Sequence, residues 1–196
     1  MTMPQTPIED AKLMARVAQG DANACRLLVQ RHLNPLVGLA MRMTGNKSEA
    51  EDIAQEAFVR LWKQSHQWQP KAKISTWLYR VTHNLAIDTI RRKKRQKLSE
   101  SDQLEISKSI TATQKNQDQT LHQQDITRQV ETAMSHLPER QRTAITLVHH
   151  RDMTNKEAAT VMDISVDALE SLLARGRRGL KEILADSRTD LLGAET

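Results

Sequence analysis

The chain has 196 residues and a formal net charge of +5, which favours an acidic partner such as nucleic acid over an acidic substrate. Its single cysteine, Cys25, excludes an intrachain disulfide and a thiolate metal cluster, and neighbouring Leu27 and Leu28 predict a buried, inert thiol. The sequence has neither an apolar run of the ~20 residues that span a membrane nor a signal-peptide layout. Composition therefore predicts a cytoplasmic protein of one or two small domains.

Glycine and proline, which most often interrupt helices, are scarce and peripheral in this chain. No glycine occurs between Gly45 and Gly176, and Pro138 is the only proline after Pro70. The alternation of β-branched residues that marks strands is also missing. We therefore predict an all-α fold with two small helical domains joined by a flexible linker, the C-terminal one a helix-turn-helix.

The first two helices are predicted from glycines that can end a helix. The first runs over about residues 8–19 and ends at Gly20, and the second runs over about 21–43 and ends at Gly45. Pro35 lies within the second, and we expect it to kink or break that helix.

Serines are expected to start the third and fourth helices. Ser48 and Glu51 have the spacing of a capping box, so the third helix is predicted to run from Ser48 to about residue 64. After a loop at residues 65–74, Ser75 is predicted to cap a fourth helix that reaches about Arg95.

The third helix is expected to bury one stripe and expose an acidic one. The buried stripe is Ile53, Ala54, Ala57, Phe58 and Leu61, and the opposite stripe is Asp52, Glu56, Val59 and Lys63. The helix dipole accounts for acidic residues in the first turn but poorly for Glu56, which lies in the third. In a basic protein, this acidic face is a candidate protein-docking surface.

The fourth helix has an apolar side and an unusual polar side. The apolar side carries Leu78, Leu85, Ala86 and Ile90, and the other side carries Trp77, Asn84, Asp88 and Arg91. An indole can stack on an unpaired base while the polar groups read its edges. The alternative, equally open on the pattern, is that Trp77 packs under the 65–74 loop.

All five aromatic residues of the chain fall within residues 58–79, and a run of cations follows at 91–95. Aromatic faces stack on bases and cations neutralise phosphates, so this part of the chain is a candidate site for opened nucleic acid. The alternative is that the aromatics form the core of a small helical domain, and we assign Phe58 to that core.

Residues 96–125 differ in composition, because almost half of them are Gln, Ser or Thr and none is aromatic. Such a stretch buries little apolar surface and is predicted to be a flexible linker. A coil of this length spans roughly 30 Å, enough to tether two domains that bind separate points on one partner.

The second half has the pattern of a compact helical domain. Apolar residues recur at helical spacing over 126–137, and Pro138 is placed to start the next helix. Thr154 and Glu157 form another capping box, which predicts the start of a further helix.

A helix, a short turn and a second helix with arginines on one face are typical of a helix-turn-helix DNA reader. The turn is predicted at residues 163–164, and Ser165 is predicted to cap a last helix over 166–185. Its core stripe is Val166, Leu169, Leu173, Gly176, Leu180 and Leu184. Its outward stripe, small at first and cationic later, suits a major groove: Asp167, Ser171, Ala174, Arg175 and Arg178. An ordinary solvated face is the alternative.

The sequence shows no catalytic set. Its histidines are scattered, and His149-His150 lacks a third ligand at metal spacing. A Gly-rich phosphate loop and a nucleophile elbow are both missing. We therefore expect a protein that is not an enzyme, with no cofactor, no metal and no small-molecule substrate.

Three segments, in order, resemble those of bacterial sigma factors of the extracytoplasmic-function (ECF) class. Asp52–Trp62 resembles their polymerase-binding segment, and Ser75–Asp88 with Arg91 and Arg92 resembles the segment that melts and reads the minus-ten element. Leu137–Arg142, followed by the helix-turn-helix, resembles their minus-thirty-five reader.

The resemblance implies three parts: sigma region 2 over residues 8–95, a linker over 96–125, and sigma region 4 over 126–186. It implies core RNA polymerase and promoter DNA as partners, and an anti-sigma factor that holds the protein inactive, either in the cytoplasm or at the membrane.

The resemblance also implies residue roles. The residues implied to bind core polymerase are Asp52, Gln55, Glu56, Arg60 and Trp62. The residues implied to bind the minus-ten element are Asn84, Asp88, Arg91 and Arg92. Trp77 is added to them because it lies on the same polar side of the fourth helix. The 65–74 loop matches the one that traps a flipped base. For the minus-thirty-five element, the resemblance implies the helix-turn-helix, and the residues predicted there are Glu170 and the outward stripe Asp167, Ser171, Ala174, Arg175 and Arg178.

The sequence departs from the family at two positions of the last helix. Many members have Lys or Arg in place of Glu170, and Arg in place of Leu172. A carboxylate at 170 would repel phosphate but can accept a hydrogen bond from cytosine, or it points away from the bases.

Two other classes of protein remain as alternatives. A stand-alone helix-turn-helix regulator would need a dimer surface or sensor domain, and the 96–125 stretch supplies neither. An all-α adaptor that uses the Asp52–Glu56 face would leave Arg175, Arg178 and the 91–95 cations unexplained.

Overall fold

The computed structural model describes residues 7–69, 73–100, 121–149, 151 and 153–192, and side chains over a slightly narrower set. Helices make up nearly all of these residues, and none of them lies in a strand, which confirms the all-α prediction. The chain divides into two compact units. The first contains α1 (Pro7–Ala18), α2 (Ala22–Thr44), α3 (Lys47–Gln64), a short 3-10 helix (Ser65–Gln67) and α4 (Ile74–Glu100). The second contains α5 (Leu121–His136), α6 (Glu139–His149), most of α7 (Asn155–Met162) and α8 (Val166–Leu192).

The ends of α2 follow the prediction. The side chain of Asp21 accepts hydrogen bonds from the backbone N–H groups of Asn23 and Ala24, at 2.9 and 3.1 Å. Gly45 ends the helix with φ 69°, a left-handed conformation that glycine adopts without steric cost. Pro35 lies inside α2 without breaking it, and the adjacent Leu36 is buried in the core.

The predicted starts of α3 and α4 are wrong. Asn46 caps α3 by accepting from the Glu49 N–H at 3.1 Å, so Ser48 lies inside the first turn. Asparagine caps as well as serine, and it directly follows the glycine that ends α2. In α4 the Trp77 N–H donates to the carbonyl of Lys73, so Ser75 also lies within the first turn.

The predicted linker is partly helical. Residues 96–100 continue α4, and residues 121–125 already belong to α5. The rest of the predicted linker, residues 101–120, lies outside the described residues.

In the first unit, α2 packs against α1, α3 and α4 and so forms the centre of the core. The largest fully buried side chains there are Met14, Leu28, Leu36, Leu39 and Leu78. Cys25 and Phe58 were both expected to be buried, but the structure leaves each of them half-buried. Each side chain lies at the edge of its helix's buried stripe, about 100° from a neighbouring alanine that is fully covered.

A buried ionic cluster joins α1 to α2. The Nε2 atom of His32 lies 2.8 Å from Oδ2 of Asp10, and Nη1 of Arg31 lies 2.8 Å from Oδ1. Burial alone would raise the pKa of Asp10, but the hydrogen bonds from His32 and Arg31 outweigh it and hold the pKa below its ordinary value. Asp10 is therefore an anion that fixes α1 on the core.

The second unit is built around α8, which packs against α5 and α6. Glycines make this approach possible, because a Cβ at Gly176 would lie 2.7 Å from Cδ1 of Ile145, and one at Gly179 would lie 2.9 Å from Cδ2 of Leu137. Pro138 acts as the cap of α6, and its carbonyl accepts from Gln141 and Arg142, so α6 starts one residue later than predicted.

The core stripe predicted for the last helix is largely correct. Leu169, Leu173 and Gly176 are buried, and Leu180 and Leu184 are half-buried. Val166 was expected in this stripe but is 38% exposed. It is the first residue of α8, so no preceding turn of the helix covers it.

None of the helices within the described ranges is both long and apolar enough to cross a membrane.

Candidate protein and nucleic-acid interfaces

The outer face of α3, defined here by Asp52, Gln55, Glu56, Arg60 and Trp62, lies opposite the buried stripe of that helix. The buried stripe is Ile53, Ala54, Ala57 and Leu61, which fixes the rotation of the helix. Nε of Arg60 donates to Oε1 of Glu56 at 2.8 Å, one helical turn apart. Glu56 is half-buried, and the other four side chains are exposed.

Trp62 is the most unusual member of this face, because 63% of its surface is exposed. Tryptophan is highly buried on average, so an indole this open adds a large apolar surface to a charged face. Tryptophan and arginine are also the residue types that most often dominate binding energy at protein interfaces. The outer face of α3 therefore has the composition of a protein-docking surface.

The polar side of α4 presents its predicted residues to solvent. Asn84, Asp88, Arg91 and Arg92 are all exposed. Between Asn84 and Arg92 the helix rises about 12 Å, so the four side chains line one edge of the helix over that length. Arg91, Arg92 and Asp88 share this surface of α4 with Leu85, Thr89, Lys94 and Arg95. Cations outnumber carboxylates on this surface, which suits a phosphate backbone.

Trp77, at the start of α4, packs against Trp68. The ring centroids lie 5.9 Å apart, and the planes meet at 85° in an edge-to-face arrangement. Both indoles are half-buried. This contact agrees with the alternative in which Trp77 packs against the 65–74 loop. The part of the Trp77 ring that is exposed can still stack on a base.

Not all of the cations at 91–95 face solvent. Nζ of Lys93 lies 2.6 Å from Oε1 of Glu49 near the start of α3. This ion pair joins α3 to α4, so Lys93 is a structural residue of the first unit. Sequence reasoning missed the pairing because the two residues lie far apart in the chain.

The helix-turn-helix has the predicted local geometry. The Glu157 N–H donates to Oγ1 of Thr154, and the Thr154 N–H donates back to Oε2 of Glu157, so the capping box is confirmed. Asp163 turns the chain with φ 54°, a conformation that aspartate tolerates better than most residues. Ser165 then caps α8 by accepting from the Ala168 N–H at 3.2 Å.

The outward stripe of α8 is exposed as predicted and comprises Asp167, Ser171, Ala174, Arg175 and Arg178. Nε of Arg175 donates to the carbonyl of Ser171 at 3.2 Å, which directs this guanidinium along the helix. Glu170 is exposed on the flank of the stripe, and its Oε1 accepts from Nδ2 of Asn155 at 3.1 Å. Asn155 could not be identified from sequence patterns, since its contact with Glu170 crosses the turn between α7 and α8.

Arg142, at the end of the Leu137–Arg142 motif, has a structural role. It is half-buried, and Nη1 donates to the carbonyl of Ser135 at 3.2 Å. Burial lowers the pKa of Arg142, and the nearby carboxylate of Glu139 partly offsets this. The guanidinium therefore ties α6 to the end of α5.

Within the part of the chain that the structure describes, no three His, Cys, Asp or Glu side chains are grouped so that they could hold a metal ion.

Family models match both halves of the chain. The sigma-70 region 2 model matches residues 28–96, and the sigma-70 region 4 model matches residues 127–180. The two matches fall on the unit that carries the α3 and α4 surfaces and on the unit that carries the helix-turn-helix. The fold and these surfaces define a sigma-70-class initiation factor of bacterial RNA polymerase.

Curated relatives narrow this class. The ECF RNA polymerase sigma factor SigW of Bacillus subtilis is 31% identical over 180 residues, which cover 89% of this chain and 96% of SigW. SigM of the same organism is 33% identical over 156 residues, which cover 80% of this chain and 92% of SigM. The chain belongs to the ECF sigma factors of bacterial RNA polymerase. It binds core polymerase, recognises promoter elements and directs transcription initiation, and it is not an enzyme.

Solved structures share the fold. CnrH, in complex with the cytosolic domain of CnrY, has a TM-score of 0.63 and 24% identity, with 96% of this chain and 99% of CnrH covered. The sigma factor RpoE of Bartonella quintana, in complex with the anti-sigma factor NepR, has a TM-score of 0.69 and 21% identity. That match covers 82% of this chain and 96% of RpoE.

Proposed function

We propose that three surfaces divide the work of initiation in this sigma factor. The outer face of α3 docks on core polymerase. The polar side of α4 holds the melted minus-ten strand through Trp77, Asn84, Asp88, Arg91 and Arg92. The start of α8 enters the upstream duplex and contacts the minus-thirty-five element through Asp167, Glu170, Ser171, Ala174, Arg175 and Arg178.

The observation that carries this proposal is the exposure of Trp62 on the outer face of α3. An indole that is exposed in the fold contributes little to the core, so a partner that covers it gains the apolar surface. The Glu56–Arg60 pair, which is also on the outer face of α3, adds charge, and charge sets partner orientation and specificity more than raw affinity.

The minus-ten proposal rests on the combination of side chains along α4. Opening a duplex costs a few kcal/mol for each unstacked base, and stacking on an aromatic ring can return about 1–3 kcal/mol. Trp77 supplies a ring at one end of the helix, and Arg91 and Arg92 supply charge for phosphates at the other. The amide of Asn84 and the carboxylate of Asp88 lie between them and can hydrogen-bond to base edges.

The minus-thirty-five proposal rests on the outward stripe of α8. Small side chains at its start allow the helix to approach the floor of a major groove. Arg175 and Arg178 lie one and two turns further on, where they can reach bases or phosphates.

We further propose the domain limits 8–95 for region 2, 96–125 for the linker and 126–186 for region 4. A tether between the two DNA-binding regions lets each bind its own promoter element. The site of action is the cytoplasm, where core polymerase and promoter DNA are found.

Control by an anti-sigma factor is part of the proposal. CnrH and RpoE, which share this fold, were solved with CnrY and with the anti-sigma factor NepR. An anti-sigma factor that covers the α3 or α8 surface would block polymerase or promoter binding, and one anchored in a membrane would hold the protein there.

Charge reversal on α3 tests the docking proposal. Glu56→Lys places a cation beside Arg60 and should abolish co-purification with core polymerase while the melting temperature stays within a few degrees. Glu131→Lys is the matched control, since Glu131 is exposed on α5 in the second unit. Normal co-purification of Glu56→Lys would remove the outer face of α3 from the interface.

A further inference from the structure

Glu170 places a carboxylate on the helix that faces DNA in the proposed function. It is exposed on α8 and, at helical spacing, lies next to Asp167 and Ala174 of the outward stripe. Asp167 is in the first turn of α8, where the helix dipole favours an anion. Glu170 lies past that turn, so the dipole does not account for it.

A contact across the turn fixes the direction of this carboxylate. Nδ2 of Asn155, the first residue of α7, donates to Oε1 of Glu170 at 3.1 Å. Both ends of the contact are anchored. Thr154 and Glu157 cap α7 beside Asn155, and Leu169, next to Glu170, is fully buried. The carboxylate is therefore oriented by a hydrogen bond from a second helix.

An ionised carboxylate can only accept hydrogen bonds, and this limits what it can bind on DNA. Phosphates repel it. In the major groove, the donors are the N4 amino group of cytosine and the N6 amino group of adenine. Adenine presents the acceptor N7 beside its amino group, which would repel the second oxygen, whereas cytosine presents no acceptor beside N4. Cytosine is therefore the base that fits.

The amide of Asn155 engages only Oε1. Among the residues with described side chains, no other hydrogen bond or ion pair to Glu170 is present, and Oε2 remains available to a base. A side chain that is already oriented loses less freedom when it binds, so the amide contact favours readout at one fixed position.

We propose that Asn155 and Glu170 form a cytosine-reading pair. Glu170 accepts a hydrogen bond from the N4 amino group of one cytosine in the upstream promoter element, and Asn155 is the positioning residue that orients the carboxylate. This inference rests on the proposed entry of α8 into the upstream duplex.

The test is a selection of promoter sequences, randomised in the upstream element, by core polymerase reconstituted with each variant of the full chain. The wild-type holoenzyme should select cytosine at one position, by about tenfold over the other bases. Glu170→Gln should shift that position toward adenine, because glutamine pairs with N6 and N7 of adenine. Glu170→Lys should shift it toward guanine.

Variants of Asn155 separate positioning from a merely structural role. Asn155→Ala should weaken the cytosine preference severalfold at that position and leave the other positions unchanged. Asn155→Gln keeps an amide donor and should restore part of the preference. The matched control is Glu182→Gln, the same chemical change at an exposed residue of α8 beyond the region 4 match. It should select the same sequences as the wild type.

A base analogue provides the second measurement. With the selected cytosine replaced by 2-pyrimidinone, which lacks the 4-amino group, the wild-type holoenzyme should lose about tenfold in affinity, and Glu170→Gln should lose little. An equal loss in both proteins would overturn the pair.

The outcomes distinguish this inference from the function on which it rests. Suppose the wild type selects an upstream element and its preferences are unchanged in Glu170→Gln and Asn155→Ala. The contact then only links α7 to α8, and the inference is wrong. The proposed docking of α8 would still hold. The same holds if Asn155→Ala lowers the melting temperature and weakens all sequences equally. If the wild type selects no upstream element, both the docking of α8 and the inference fail.

Discussion

The two units expose different chemistry on helices of similar construction. Each of α3 and α8 buries an apolar stripe and turns the opposite side to solvent. On α3 that side carries an exposed indole and a glutamate–arginine pair, and on α8 it carries small residues followed by arginines. The comparison shows that the buried stripe sets only the rotation of a helix, while the exposed stripe decides what it can bind.

The units also differ in how their helices are held. The first unit uses a buried ionic cluster around Asp10 to attach α1 to the core, whereas the second brings α8 close to its neighbours through Gly176 and Gly179. An ionic attachment depends on pH, and a steric one does not.

Removal of the indole from α3 is expected to have the largest effect. Trp62→Ala should weaken binding to core polymerase by ~2–4 kcal/mol, about 30- to 1,000-fold, because an aromatic anchor is lost at the interface. The melting temperature of Trp62→Ala should stay close to that of the wild type, since the Trp62 side chain is exposed. Leu27→Ala is the control, because Leu27 is the other exposed large apolar residue described in the first unit. Titration of core polymerase measures both, and equal affinities would contradict the docking face.

Loss of an arginine from α8 should affect only the duplex-binding unit. Arg175→Ala should weaken binding to the upstream duplex by ~1–3 kcal/mol if the guanidinium contacts a base. Arg177→Ala is the matched control, because Arg177 lies off the outward stripe and contacts Nε2 of His149 at 3.3 Å. Fluorescence anisotropy on a labelled duplex measures the difference, and unchanged affinity of Arg175→Ala would remove Arg175 from the site.

Trp77→Ala separates strand opening from duplex binding. Loss of a stacking surface should slow or weaken opening of the minus-ten element by ~1–3 kcal/mol, with little effect on upstream duplex binding. Leu78→Ala is the contrasting variant, because Leu78 is fully buried and its loss should lower the melting temperature. If Trp77→Ala also lowers the melting temperature and weakens both steps equally, Trp77 belongs to the core with Trp68.

The smallest effect is expected from the ionic cluster. Asp10→Asn should destabilise the protein by about 1–2 kcal/mol at neutral pH, because it weakens charge-assisted hydrogen bonds from His32 and Arg31. The folded-state pKa of Asp10 lies below its ordinary value. The contribution is therefore complete above the unfolded pKa of about 3.9 and is lost as the pH falls through the folded pKa.

Urea unfolding of wild type and Asp10→Asn between pH 7 and pH 3 measures this dependence. The difference in the free energy of unfolding should shrink as the pH falls below about 4. Glu9→Gln is the control, since its contact with Arg31 is at the surface and such pairs contribute little. A difference that stays constant with pH would mean that the Asp10 charge does not attach α1.

Local sequence signals predicted the fold where one residue decides the local structure. Gly45, the Thr154–Glu157 box and Ser165 act as caps in this structure as the sequence indicates. The prediction failed at α3, where Asn46 and Ser48 compete for the cap and only the path of the chain after Gly45 decides between them. Helical periodicity likewise predicted the exposed and buried stripes, with errors at stripe edges such as Phe58.

Contacts between residues that are distant in the chain could not be predicted from the sequence. The Trp68–Trp77 pair was open as one of two interpretations, but Lys93–Glu49 and Asn155–Glu170 had no signal at all. Each depends on how two helices meet, which periodicity within one helix does not determine.

Transcription by core polymerase with and without this protein is the most direct test of the central claim. On DNA fragments that carry an upstream and a minus-ten element selected by the reconstituted holoenzyme, core polymerase with the protein should start transcripts at one position, and core polymerase alone should not. Loss of either element should reduce the transcript. If the protein neither binds core polymerase nor confers promoter selectivity, the account is contradicted.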